Sequence, residues 1–188
     1  MSKIDLNNIS HTYNPNDPEP TYALNPFSMT WENGKRYAIL GPSGCGKTTM
    51  LNIVSGLVRP SAGSILFDDK DVTDLKTEER NIAQVFQFPV IYNTMTVFEN
   101  LAFPLKCRAF SKAKIDERVN SVSETLNLKS FLNSPARKLT ADQKQLISLG
   151  RGLVREDVAA VLMDEPLTVI DPDLKFRLRR NLKEINEQ

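Results

Sequence analysis

Residues 41–48 read Gly-Pro-Ser-Gly-Cys-Gly-Lys-Thr and match the pattern GxxxxGK(S/T) in full. The glycines of such a loop let consecutive backbone N–H groups turn inward and surround a phosphate. Lys47 is placed to reach the β- and γ-phosphate oxygens, and the Thr48 hydroxyl to ligate Mg²⁺. The loop therefore predicts binding of a nucleoside triphosphate, the alternative being a glycine-rich turn with an incidental lysine. The residues expected to contact the nucleotide here are Gly41, Pro42, Ser43, Gly44, Cys45, Gly46, Lys47, Thr48 and Thr49.

A second group that could do chemistry is the acidic pair Asp164-Glu165. It follows the apolar run 158–163, which is typical of a parallel strand covered on both faces. Ligands bind at the carboxyl ends of strands in open α/β sheets. We expect Asp164 to hold Mg²⁺, usually through water, and Glu165 to act as the general base on the attacking water. The alternative is a charged strand end that faces solvent.

The elements around the phosphate loop can also be predicted from the sequence. Residues 3–9 alternate as a strand does, and Asn33-Gly34 is typical of a two-residue hairpin leading into a short apolar strand over 37–40. The apolar spacing of residues 48–57 predicts the helix that follows the loop. The loop is therefore expected to lie between a strand and a helix, the context that its chemistry needs.

Three further helices are expected over residues 96–106, 111–128 and from near Thr140 to Arg155. Ser111 is predicted to be an N-cap. The apolar positions of the helix that it begins are Ile115, Val119, Val122 and Leu126.

Composition limits the classes of function. The 188 residues suit one domain, and a net charge of +1 does not suggest a binder of nucleic acid. The N-terminus has no signal-peptide pattern, and no apolar run is long enough to span a bilayer. Cys45 and Cys107 lack the spacing of metal ligands, which favours a reduced, cytoplasmic chain. His11, the only histidine, is expected to be a strand-end residue with no catalytic role.

Taken together, the motifs resemble those of the ATP-binding subunits of ABC transporters. Tyr13 matches the aromatic residue that stacks on adenine in that family, the alternative being an ordinary packed tyrosine. Gln87 matches the glutamine that reaches the metal, and could otherwise be a loop glutamine. Asp164-Glu165 matches the Walker B pair, and Asp171 the aspartate of a loop that crosses the dimer interface. The resemblance implies ATP and Mg²⁺ as cofactors, Thr48, Gln87 and Asp164 around the metal, and Glu165, Lys47 and Gln87 in catalysis.

The resemblance also implies an α/β fold: a P-loop NTPase core of ABC type with an N-terminal antiparallel β subdomain and an inserted α-helical subdomain. We expect the nucleotide-binding core over 1–93 and 157–188, and the helical subdomain over 94–156. In the family a further strand carries a histidine that contacts the γ-phosphate. The sequence given ends before such a strand, so we expect the ABC domain, 1–188, to be incomplete at its C-terminus. We also expect the stability of this chain alone, and its rate of ATP hydrolysis, to be reduced.

The family's signature segment, normally Leu-Ser-Gly-Gly-Gln, departs from the pattern here. It consists of Leu139, Thr140, Ala141, Asp142 and Gln143. In the family it caps the γ-phosphate held by the opposite subunit, so Asp142 would place a carboxylate near an anion. We expect a poor composite site and pairing with a different ATPase subunit, the alternative being that Asp142 faces solvent as a simple cap.

Segments 95–105, 146–153 and 167–171 are similar to those of importers of sugars, polyols and glycerol phosphates. The resemblance implies a subunit at the cytoplasmic face of the inner membrane that pairs with a second ATPase subunit, a homodimer or, favoured by Asp142, a heterodimer. Its other partners would be permease subunits and, indirectly, an extracytoplasmic solute-binding protein. A regulatory partner that binds ATP without hydrolysing it is one alternative. An ABC protein acting on nucleic acid or ribosomes is another, disfavoured because no coiled-coil insertion or tandem cassette is present.

Overall fold

The computed structural model describes residues 1–168 and Lys175, and the chain divides into two compact units. The first unit contains Met1–Ala83 and Asp157–Asp164. The second contains Gln84–Glu156 and the residues from Glu165 onward. The prediction for Asp171 falls outside the described residues.

The first unit is built on a four-stranded antiparallel sheet. Its strands are Ile4–Thr12 (β1), Tyr22–Trp31 (β2), Ala62–Phe67 (β3) and Lys70–Asp71 (β4), in the order β2-β1-β3-β4. Apolar side chains at alternate positions of β1, Ile4 and Leu6, are 1% exposed, so the predicted alternation is confirmed as a half-buried strand.

The helix after the phosphate loop is Lys47–Ser55 (α1), and it buries its apolar face against this sheet. It ends at Gly56, whose φ of 81° terminates the helix in a left-handed conformation. Leu57 lies within the range 48–57 predicted as helical, but it is 51% exposed because the chain has already left the helix. Two short strands, Ile82–Val85 (β5) and Ala160–Met163 (β6), form a separate two-stranded sheet.

The strand expected over 37–40 does not form, and this prediction was wrong. Only Gly34 of the Asn33-Gly34 pair has a positive φ, 69°, whereas a two-residue hairpin of the Asn-Gly type needs positive φ at both positions. The turn closes with a hydrogen bond from the Lys35 N–H to the Glu32 carbonyl, 3.2 Å, but no ladder follows it. Leu40 is 90% exposed, since apolar composition alone cannot supply the partner that a strand requires.

The second unit is mainly helical. Its helices are Val97–Lys106 (α2), Lys112–Thr125 (α3) and Ala141–Leu153 (α4), with 3₁₀ turns at Lys129–Phe131 and Ala136–Lys138. Thr96, Ser111 and Thr140 are the N-caps of the three helices, each accepting a hydrogen bond from a backbone N–H in the first turn. The predicted helices are confirmed with ends shifted by a few residues. The apolar positions predicted for the second are buried: Ile115, Val119, Val122 and Leu126.

Candidate functional site

The backbone of the phosphate loop has the shape that its glycines permit. Gly44 and Gly46 have φ values of 81° and 91°, which side chains disfavour. A Cβ atom at Gly46 would lie 2.4 Å from the Ala23 carbonyl oxygen. The loop therefore turns sharply and meets α1 where Met50 N–H donates to the Gly46 carbonyl, 2.9 Å. The first N–H groups of α1 and its positive end point towards the loop.

The Lys47 side chain folds back over this loop. Its Nζ donates hydrogen bonds to the carbonyls of Gly41 and Pro42, each 2.8 Å long, and lies 3.7 Å from the Cys45 sulfur. The two carbonyls carry no charge, so these hydrogen bonds do not compensate the positive charge of the lysine. The arrangement favours an anionic ligand that can exchange with the two carbonyls.

The first unit brings Thr48 and Asp164 together although they are 116 residues apart in the sequence. The Thr48 hydroxyl donates to Asp164 Oδ2 over 2.7 Å, and Asp164 is only 8% exposed. A carboxylate this buried is costly unless a cation or several donors compensate it. Hard oxygen donors suit Mg²⁺, which is commonly held by one or two protein groups together with water and phosphate. The two residues therefore fit the metal that the sequence implies.

Arg80 occupies the other end of α1 and was not found from the sequence. It is 3% exposed, and its guanidinium donates to the carbonyls of Ile53 (2.8 Å) and Val54 (3.1 Å) in the last turn of the helix. It also donates to the carbonyls of Thr73 (2.7 Å) and Leu75 (3.0 Å). Burial lowers the pKa of Arg80, while nearby acidic groups oppose this. A cation at a helix C-terminus compensates its negative end, so Arg80 fixes the helix that carries the loop. No sequence signal marks it, since arginines in loops are usually solvated.

Tyr13, the predicted adenine-stacking residue, lies in the same unit as the loop and is 61% exposed. Its hydroxyl is 3.2 Å from the Thr49 hydroxyl in the first turn of α1. The exposed ring next to the phosphate loop has room for a planar ligand, so packing in a core is excluded as its role.

Gln87 and Glu165 belong to the second unit. Gln87 follows the end of β5 and is half-buried. Glu165 is exposed and has a φ of 44°, a strained conformation for a residue with a side chain. Thr168 holds it there, because its N–H donates to the Glu165 carbonyl (3.1 Å) and its hydroxyl to Glu165 Oε2 (3.2 Å). Such strain is often retained at functional sites.

One buried amide in the second unit connects the segments that carry these two residues. Gln145 of α4 is fully buried, and its Nε2 donates to the carbonyls of Phe86 (3.2 Å) and Pro166 (3.0 Å). These carbonyls are one residue before Gln87 and one residue after Glu165. Sequence reasoning missed Gln145, although a polar residue beside the buried apolar face of α4 was a signal that could have revealed it.

The signature segment begins α4 with a complete capping box. Thr140 Oγ1 accepts from the Gln143 N–H (3.3 Å), and Gln143 Oε1 accepts from the Thr140 N–H (3.0 Å). Leu139 and Ala141 flank the cap, and Asp142 lies half-buried in the first turn of the helix. The helix start is therefore satisfied without the Asp142 side chain.

Known proteins are similar to this chain over most of its length. The ABC transporter family model matches residues 24–168. The trehalose/maltose import ATP-binding protein MalK of Thermococcus litoralis is 42% identical over 172 residues, which cover 88% of this chain and 46% of that protein. The sn-glycerol-3-phosphate import ATP-binding protein UgpC of Pectobacterium atrosepticum is 37% identical over 188 residues, covering 100% of this chain and 51% of that protein. The chain thus spans about half the length of the curated relatives it matches.

Solved structures agree on the fold. A dimeric post-hydrolysis state of the ATP-binding cassette MJ0796, bound to ADP and Pi, has a TM-score of 0.85 at 29% identity and covers 98% of this chain and 83% of that one. A nucleotide-free ATP-binding cassette from an ABC transporter has a TM-score of 0.80 at 25% identity, covering 100% and 78% of the two chains. Among the described residues, no helix has the length and apolar character needed to cross a membrane.

Proposed function

This chain belongs to the ABC transporter family, and from that membership we propose that it binds and hydrolyses ATP to energise an importer of a sugar, polyol or glycerol phosphate. The similarity to MalK and UgpC, which are named as import ATP-binding proteins, supports this function and this range of substrates. The phosphate loop, Tyr13 and the Walker B pair are the residues through which the chain would act.

The contact between Thr48 and Asp164 carries the proposal. It joins the residue directly after the loop lysine to the carboxylate at the end of β6, over 2.7 Å. A charged strand end facing solvent would not have its carboxylate 8% exposed and paired to this hydroxyl. The pair is the arrangement that supports Mg²⁺ beside a bound triphosphate.

Each residue has a defined part in this function. Lys47 would leave its carbonyl partners and neutralise the β- and γ-phosphate oxygens, and Tyr13 would stack on adenine. Glu165 would accept a proton from the attacking water, and Gln87 would contribute to the metal site. Bound Mg²⁺, held by Thr48, by Asp164 through water and by Gln87, would supply charge neutralisation of the transferred phosphoryl group.

An exposed apolar surface in the second unit supports docking onto a permease. Phe88 and Val90 are 70% and 53% exposed, which does not fit core packing. Arg151 supports this segment from α4, because it donates to the Val90 carbonyl (2.8 Å) and lies 4.6 Å from the ring centroid of Tyr92. Apolar patches of this kind mark contacts with other proteins. We place the chain at the cytoplasmic face of the membrane, with a second ATPase subunit, permease subunits and, indirectly, a solute-binding protein as partners.

Calorimetry with Mg-ATP tests the binding proposal. We expect Lys47→Ala to weaken ATP binding by about 10- to 100-fold, since charge-assisted hydrogen bonds contribute about 1.5–3 kcal/mol. Lys70→Ala, which removes an exposed lysine of β4, is the matched control and should bind as the parent chain does. Equal affinities of the two variants would contradict the site.

ATP turnover of the assembled transporter tests the hydrolysis proposal. Glu165→Gln keeps the shape of the side chain but removes the base, so binding should persist while turnover falls by about 10²- to 10⁴-fold. Turnover within a few-fold of the parent rate would exclude Glu165 as the base.

Asp142 favours a second candidate function, that of a regulatory subunit that binds ATP and completes a dimer with a more active partner. The carboxylate in the first turn of α4 offsets the positive helix end that an anion would need. Mixing the chain with its partner subunit in an ATPase assay separates the two functions. In the regulatory case, Glu165→Gln in this chain would leave turnover of the pair unchanged. If Asp142 impairs only the site that holds the partner's ATP, turnover would depend on Glu165, and the same variant would abolish it.

A further inference from the structure

The Tyr13 ring is held at two points although most of it is exposed. Its hydroxyl is 3.2 Å from Thr49 Oγ1, which lies in the first turn of α1. Its ring centroid is 4.6 Å from that of His11, and the two planes meet at 87°. Edge-to-face contacts at this distance are favourable. With 61% of the residue exposed, most of the ring remains accessible to a ligand.

His11 is itself fixed and almost fully buried, with 8% exposure. Its Nδ1 lies 3.3 Å from the Ser61 hydroxyl oxygen. That oxygen accepts a hydrogen bond from the Thr12 N–H over 3.1 Å. Its Nε2 is buried and has no hydrogen-bond partner among the residues that the structure describes. A buried nitrogen without a partner is unfavourable, so hydrogen bonding at Nε2 does not explain a histidine here. Two interactions of the imidazole remain: the contact of Nδ1 with Ser61, which fixes the His11 ring, and the edge-to-face contact with Tyr13.

We propose that His11 is a positioning residue for nucleotide-base recognition: its buried ring fixes Tyr13 in the orientation in which adenine stacks on it. The inference rests on the proposed function, in which Tyr13 is the base platform. An exposed tyrosine without this contact would have to be immobilised when the base binds, and that lost freedom weakens binding. Because His11 already restricts the Tyr13 ring in the free protein, the side chain loses less conformational freedom when the base binds. It does not act on the phosphates, which bind to the loop and α1.

Two ligands that differ in the base separate this role from a general structural one. The probes are ATP and inorganic tripolyphosphate, each with Mg²⁺, measured by calorimetry on the parent chain and its variants. We expect His11→Ala to weaken ATP binding by about 3- to 10-fold and to leave tripolyphosphate binding within twofold, because only ATP has a base to stack. Equal weakening of both ligands, or no weakening of either, would overturn the inference.

A conservative variant and a double variant sharpen the test. His11→Phe keeps an aromatic ring against Tyr13 and removes the unpartnered nitrogen, so it should restore ATP affinity to within twofold of the parent. Tyr13→Ala should weaken ATP binding by roughly 5- to 100-fold, and adding His11→Ala should cause no further loss. Failure of Tyr13→Ala to weaken ATP binding would refute the base platform, which belongs to the proposed function. Loss with Tyr13→Ala but none with His11→Ala would refute the positioning role alone.

The parent chain offers a readout that needs no substitution at His11. It contains one histidine, so labelled histidine yields a single imidazole Hε1 signal in NMR spectra. ATP should shift this signal through the ring that stacks beside it, and tripolyphosphate should shift it much less. In Tyr13→Ala the ATP-induced shift should fall to the tripolyphosphate level. An imidazole signal that ATP leaves unmoved, in a chain that binds ATP, would also overturn the proposal.

Discussion

Replacing Asp142 by Asn tests whether the altered signature segment limits ATP turnover. The variant should lose little stability, because the N-terminus of α4 is already capped by the reciprocal hydrogen bonds of Thr140 and Gln143. Asp142 therefore contributes only its interaction with the helix dipole, about 0.3–1 kcal/mol. For a domain of this size, this corresponds to a fall in melting temperature of about 4 °C at most.

The effect on turnover is expected to be larger and opposite in sign. If the start of α4 faces the γ-phosphate of a partner subunit, two unit charges about 4 Å apart repel by roughly 4 kcal/mol before screening. Partial exposure and salt reduce this value. We expect Asp142→Asn to raise the ATPase rate of the assembled transporter at least tenfold at low ionic strength. The gain should shrink as salt is added, because screening weakens the repulsion in the parent.

Asp116→Asn is the matched control, since it makes the same change of charge on helix α3. It should alter neither turnover nor its salt dependence. An unchanged rate in Asp142→Asn, measured on a complex that retains its melting temperature to within 4 °C, would refute the reasoning. So would equal increases in both variants, because these would report net charge and not the position of the carboxylate.

Three further predictions follow from buried or hydrogen-bonded groups. Arg80→Met should lower the free energy of unfolding, measured in urea, by about 3–5 kcal/mol, because four carbonyls lose a charged donor. Arg59→Met removes an exposed ion pair and should lower it by less than about 1 kcal/mol. Similar losses of stability in the two variants would refute the role of Arg80. Gln145→Met should lower kcat about tenfold with little change in ATP affinity, since Gln145 connects the segments that carry Gln87 and Glu165, the proposed catalytic residues of the second unit. Weakened affinity at an unchanged kcat would contradict this. Hydrogen bonds from the N-cap of α2 lower the pKa of Glu99 below its ordinary 4.5, so its stabilising effect is present above that pH and is lost as pH falls through the lowered pKa. Urea midpoints of the parent and Glu99→Gln should therefore differ at pH 7 and converge as the pH falls well below 4.5, and a difference that stays constant with pH would count against the assignment.

Local patterns in the sequence were enough for the helices and for the phosphate loop. Ser111 caps its helix as predicted, and Thr140 caps the helix that was predicted to begin near it. Such caps can be predicted because a cap involves only the next three residues. The loop motif likewise encodes its own shape, since positive φ at Gly44 and Gly46 requires residues without side chains. The caps and the loop depend on interactions between residues that are close in the sequence, so a sequence pattern predicts them.

Local sequence patterns failed for the strand expected over 37–40. Its apolar composition matched a buried strand, but pairing depends on a second segment that composition does not identify. In addition, Gly34 has a positive φ and Asn33 does not, whereas a two-residue hairpin of the Asn-Gly type needs a positive φ at both positions.

By itself, the sequence determined that the chain carries a GxxxxGK(S/T) loop, an acidic pair after an apolar run, and the motifs of the ABC family. Only the tertiary structure decided that Thr48 meets Asp164 over 2.7 Å, that Arg80 closes the far end of α1 and that the His11 ring is packed against Tyr13. The physical reason is that these contacts join residues whose burial and distance follow from how strands and helices pack. A motif specifies which side chains are present. Folding specifies which of them come into contact in buried positions, where electrostatic interactions are stronger than in water.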